Sequence, residues 1–185
     1  GFEEVKKASA QYVAVLTFDE WEENKDSFDM GIDIEPDFRD IHTTKAEVNF
    51  DSLTGSFFIP NRSDISDKSD KFSFALDEKG IVFIDNSGAA ERIISQVRRT
   101  KKWRFPSLER FLYDFLEQIV RYDRELLERY GTELDRIELE IINENSGFNP
   151  ERLNEIRGEI RDLRVHYEQL LDFSQELEEN ENNFF

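Results

Sequence analysis

Oxygen ligands are the one chemical resource this sequence holds in quantity. From Asp19 to Asp40 nearly every second residue is Asp or Glu, with only Lys25 and Arg39 set against them. Hard cations such as Mg²⁺ are held by one or two carboxylates, with water completing an octahedron, so a site of that kind needs little sequence signature. The stretch "DMGIDIEPD" lacks the alternating order of an EF-hand loop. Composition therefore permits a Mg²⁺-type site without locating one, and the same acids also suit a solvated face. A zinc site is excluded in practice, because the chain has no Cys and only His42 and His166. No G-x-S-x-G, P-loop or glycine-rich dinucleotide fingerprint is present. Carboxylate pairs are too abundant for any one to stand out as a hydrolase dyad. His166, beside Tyr167, reads as a half-exposed structural histidine.

The 185 residues fit one domain or one domain with an appendage, and 38% hydrophobic residues with 17 Phe suffice for a core. A net charge of −18 argues against nucleic acid as a partner, since phosphates need a basic footprint. The basic island "RRTKKWRF" then reads as a helix end and linker, its cations suiting the negative pole of the helix. The absence of Cys fits a reducing compartment. No run approaches the roughly 20 apolar residues of a membrane helix. A start at Gly1 and an abrupt end in "ELEENENNFF" suggest a piece of a longer chain.

The elements that must position any site follow from hydrophobic period. "QYVAVLTF" predicts a strand at 11–18, and "DEWEENKDSF" an acidic helix with Asp19 as its cap. Residues 45–60 predict a hairpin whose turn ends at Gly55, with Ala46, Val48 and Phe50 on one face. Residues 71–85 predict a second, with Phe72, Phe74 and Leu76 on one face. Gly88 to Thr100 reads as a helix burying Ile93, Ile94 and Val97. Near residue 105 the period changes from 2 to about 3.5. A helix from Pro106 to about Asn143, on the order of 55 Å long, is followed after "NENSGFNP" by a second from Pro150 to about Glu179. Asn149 is its cap, and Ile156, Ile160, Leu163, Tyr167 and Leu170 form the seam, with Glu159 opposite. The expected fold is α/β: a mixed sheet with covering helices over 1–105, then a long antiparallel helical hairpin over 106–185.

Those two helices carry a resemblance. "LY" at 112–113, "LE" at 116–117, "IV" at 119–120, "LE" at 127–128, "LD" at 134–135, "IE" at 137–138, "IR" at 156–157 and "LR" at 163–164 recur in the order of the helical part of the CorA family. Residues from about 105 to 178 thus resemble that family of divalent-cation transporters. "DIHTTKAEVNFDSLTGSFFIP" and "KFSFALDEKGIVFIDN" are similar to its upstream strands, more loosely. The resemblance implies a cytoplasmic α/β/α domain with a helical hairpin, assembled as a homopentamer. It also implies membrane helices downstream and Mg²⁺, with Co²⁺ or Ni²⁺ as other cargo. By the same resemblance, Asp40 and Glu117 are the metal ligands, binding ions between protomers and so holding the channel closed. Arg39 departs from the pattern, standing where the family has an acid, and a permanent cation cannot ligate a metal. A soluble module using the hairpin as a partner-binding arm is the alternative. An acidic metal-dependent enzyme is a third reading, with no acid/base geometry to commend it.

Overall fold

The computed structural model describes residues 11–30, 41–62, 69–100, 102–143 and 149–179. Strands β1 (Tyr12–Leu16), β2 (Lys45–Val48), β3 (Leu53–Ile59), β4 (Asp70–Leu76) and β5 (Gly80–Ile84) form one sheet in the order β1-β5-β4-β3-β2. β1 runs parallel to β5, and the other pairs are antiparallel. Helices are α1 (Phe18–Phe28), α2 (Ala89–Thr100), α3 (Leu108–Val120), α4 (Asp123–Ile142) and α5 (Pro150–Glu179). The mixed α/β class expected from the sequence is the class observed.

The near-continuous apolar runs of β4 and β5 are explained by burial on both faces. One face sends Phe57, Phe72, Phe74 and Phe83 into a core with Ile94 and Val97 of α2, Phe111 and Phe115 of α3, and Phe173 of α5. Phe83 stacks on Phe115 at 4.7 Å, and Phe57 lies 5.1 Å from Phe173. The other face sends Ala75, Val82 and Ile84 against Trp21 and Phe28 of α1. The sheet is thus the middle of three layers.

Local chemistry fixes the joints. Asp77 Oδ1 accepts from the amides of Lys79 and Gly80, both at 2.8 Å, closing the β4–β5 turn. Asp85 caps the start of α2, accepting from Ser87 N at 2.6 Å and Ala90 N at 2.8 Å, while Gly88 takes a φ of +74°. Thr17, not Asp19, caps α1: its hydroxyl accepts from Glu20 N at 3.2 Å, and Glu20 accepts from Thr17 N at 2.7 Å. These hydrogen bonds lower the pKa of the Glu20 carboxyl.

Several expectations are corrected. The β2–β3 turn lies at 49–52, where Asn49 N donates to Ser52 O at 2.8 Å, so Gly55 falls inside β3. There a Cβ would stand 2.1 Å from Lys45 O and 2.7 Å from the Phe74 ring. Gly55→Ala should therefore destabilise the chain by about 2 kcal/mol through overpacking, read as a lower urea midpoint at unchanged slope. Ala46 is buried as expected, but Val48, the last residue of β2, and Phe50, beyond its end, are exposed. The first long helix is not continuous; it breaks at Arg121–Tyr122 into α3 and α4. The α4–α5 seam buries Leu126, Tyr130, Ile137, Ile156 and Leu163. Ile160 is 37% exposed, at the edge of that seam, and Glu159 points toward it rather than away. His166 is buried, not half-exposed. The cap Asn149 is as expected, accepting from Glu151 N at 2.9 Å, and Ser107 caps α3, accepting from Arg110 N at 3.3 Å.

Candidate functional site

Ser107 starts α3, and its apolar stripe of Leu108, Phe111, Leu112, Phe115 and Ile119 turns inward onto the sheet. At helical spacing the outward face is then Tyr113, Glu117 and Val120. Tyr113 is 70% exposed, and Glu117 is exposed beside it. Asp114, on the inner side, accepts from Trp103 Nε1 at 2.6 Å, which ties the former basic island to α3. Asp40 and Arg39 lie outside the described residues. Glu117 therefore stands on an open helix face, and among the described residues no three His, Asp or Glu side chains come together as a cation site. Of the acidic stretch, Asp19, Glu20, Glu22, Glu23, Asp26 and Asp29 are all on the surface, where they solvate α1.

Sequence reasoning missed a polar cluster that joins three elements. Arg62, just past β3, pairs with Asp123 at the first position of α4 through both carboxylate oxygens, Nη2 standing 3.0 Å from Oδ2. Its guanidinium also donates to Pro60 O at 2.8 Å and to Ile119 O at 3.3 Å. Tyr167 of α5 donates its hydroxyl to Asp123 Oδ2 at 2.9 Å. Burial, then the Asp123 charge, push the Tyr167 phenol up to about 12. His166 packs beside this group with 2% of its surface exposed. Neither of its ring nitrogens makes a hydrogen bond of ordinary geometry among the described residues. Burial, then the nearby Arg62 cation, lower its pKa to about 4, against weaker opposing effects from Asp123 and the Phe58 backbone. The imidazole is neutral at pH 7. The sequence carries no signal for this cluster, because the apolar repeat runs through Tyr167 and leaves His166 beside the seam.

A second ionic cluster joins α4 to α5. Arg152 forks onto Glu133, Nε to Oε1 at 2.8 Å and Nη2 to Oε2 at 2.9 Å, and reaches Glu155 at 3.1 Å and Glu159 at 3.5 Å. The hydrogen bond from Arg152 holds the Glu133 carboxyl below its usual range. Burial, with Glu159 beside it, raises the Tyr130 phenol. The arrangement is suited to holding the helices together.

No protein-family model matches this sequence, and no curated protein matches it. Solved structures do. The structure of the full-length CmaX protein matches with a TM-score of 0.60 at 12% identity, over 80% of this chain and 46% of that one. The soluble domain of CorA from Methanocaldococcus jannaschii matches at 18% identity and a TM-score of 0.44, over 94% of this chain and 62% of that one. The complete CorA magnesium transporter from the same organism matches at 17% identity and 0.46, over 91% and 51%. The chain thus spans between 46% and 62% of the length of these structures. No helix of the described residues is long and apolar enough to cross a membrane. At such identities the likeness is one of fold, and the α/β architecture that the sequence resemblance implied is the one this chain adopts, shared with CmaX.

Proposed function

We propose that this chain is the cytoplasmic, ion-sensing domain of a CorA-type divalent-cation channel. The observation that carries the reading is Glu117 on the outward face of α3, between exposed Tyr113 and Val120. An exposed carboxylate beside exposed Tyr113 and Val120 suits contact with a second copy of the chain. The CorA-like residue order through both hairpin helices and the fold shared with CmaX support it further. In this reading Glu117 and Asp40 of adjoining copies in a homopentamer hold Mg²⁺, with waters filling the remaining positions. Each copy carries −18, so the copies repel one another. A dication between carboxylates offsets that repulsion, and its loss lets the protomers separate and the pore open. The pore itself belongs to membrane helices beyond this chain, and Mg²⁺, Co²⁺ or Ni²⁺ is the cargo. The domain is not an enzyme.

The test is sedimentation and melting temperature with and without millimolar Mg²⁺ at matched ionic strength, so that screening is not counted as binding. Mg²⁺ should raise the melting temperature or the sedimentation coefficient of the chain, because it binds only the folded, associated state. Glu117→Ala and Asp40→Ala should reduce that response. Arg39→Glu should enlarge it by replacing a cation with a ligand. Identical responses in all four proteins would reject the site. A second reading, an interaction module, draws on Leu139, Ile141 and Ile142, exposed toward the far end of α4. It predicts no Mg²⁺ response at all.

A further inference from the structure

The break between α3 and α4 has no cause in its own sequence. Neither Pro nor Gly occurs between Ser107 and Tyr130, and apolar residues recur at helical spacing straight through Arg121 and Tyr122. Sharp helix breaks otherwise arise where a side chain inserts into the hydrogen-bond ladder. Arg62 does so here. Its Nη2 takes the carbonyl of Ile119, the group that in an unbroken helix would face the amide of Asp123. Its other contacts hold the carboxylate of Asp123 from the side.

The backbone departs little from a helix. Arg121 is already helical at φ −54° and ψ −38°, and Tyr122 sits at φ −103° and ψ 7°. Changes of about 40–50° in the two dihedrals of Tyr122 alone would bring it to helical values. The third helix meets the same point. α5 is tied to the sheet by Phe173 and by Gln169 Oε1, which accepts from Thr44 N at 3.0 Å. It is tied to α4 by Ile156 and Leu163. Tyr167 lies between those two sets of contacts, and its hydroxyl ends on Asp123.

We propose that Arg62, Asp123 and Tyr167 form a latch that sets the angle of the α4–α5 arm to the sheet. Its release lets α3 and α4 join and the arm swing about Tyr122, with α5, which is unbroken through Tyr167, bending there. The lever is long: α4 extends about 30 Å, so a turn of about 20° at its base moves its tip by roughly 10 Å. Nothing in this step needs a ligand, so it holds for a channel domain and for an interaction module alike.

The chain contains no cysteine, so spin labels can be placed cleanly. Glu91→Cys on α2 and Glu138→Cys on α4 are both exposed and report the angle; Glu138→Cys with Glu151→Cys on α5 reports the arm's own integrity. Pulsed-EPR distances in the otherwise native chain should give one narrow peak for each pair. In Asp123→Asn and Arg62→Lys the first distance should shift or split by about 5–10 Å while the second stays put. Should Asp123→Asn fail to fold, Tyr167→Phe removes a single donor and should broaden the first distance alone. Native distances in both Arg62→Lys and Tyr167→Phe would overturn the latch. So would a change in the arm pair, since the helices would then have parted rather than swung together.

Discussion

Leu163→Asp should destabilise the chain by about 4 kcal/mol, and Ile160→Asp, three residues away, by only about 1 kcal/mol. Leu163 is 1% exposed in the seam with Leu126, Tyr130 and Ile156, so an aspartate there is desolvated with no partner. Ile160 is 37% exposed, and a carboxylate in its place reaches water by a change of rotamer. Glu159→Lys, by contrast, should cost about 1–2 kcal/mol, because it sets a cation against Arg152 where a carboxylate now accepts from it. Urea titration of the three variants gives the order directly. Equal losses at 160 and 163 would mean that α5 is rotated from the face described above.

That order inverts what heptad spacing alone predicts, and the reason is physical. A 3-4 apolar repeat can be drawn through α5 as 156, 160, 163, 167 and 170. It can equally be drawn through 156, 159, 163, 166 and 170 if two polar residues are accepted on the seam. The sequence favours the first, because Glu159 and His166 are polar. The fold buries Ile156, Leu163 and His166 and leaves Ile160 at the edge, with Glu159 in reach of Arg152 two turns back on the same helix and Tyr167 still turned to Asp123 of α4. Asp123 on α4 and Arg62 beyond β3, which lie against Tyr167 and His166, are out of reach of a local pattern. The break at Arg121–Tyr122 was illegible for the same reason: its cause, Arg62, lies 61 residues from Asp123 in the sequence. The strands were legible because their signal is local. Phe72, Phe74 and Leu76 alternate, and Asp77 to Gly80 closes their turn with its own side chain. Glu117 entered only through the resemblance, and its exposure on α3 is a finding of the structure. Its pairing with Asp40 came only from resemblance, and such a pairing has no local signature to read.

His166→Leu should flatten the acid limb of the stability curve. The folded state holds the imidazole at a pKa of about 4 against 6.5 for a free histidine, because burial and Arg62 disfavour the cation. Above pH 6.5 neither state binds the proton, and His166 imposes no penalty. Between 6.5 and 4 the unfolded chain is protonated while the folded chain is not, so stability falls with decreasing pH at the rate linkage requires. Each unit is worth 1.36 kcal/mol, giving a loss of about 2 kcal/mol by pH 5. His166→Leu keeps a similar volume and removes the titration. Between pH 7 and pH 5 the variant should therefore gain about 2 kcal/mol relative to the native chain. The surface carboxylates titrate alike in both proteins and cancel in the difference. Urea denaturation at half-unit steps measures it, stopping at pH 5 because solubility falls near the isoelectric point of 4.5. Parallel curves would mean that the folded chain accommodates imidazolium next to Arg62. That is possible only if water or a carboxylate reaches His166, and the burial described here excludes the first.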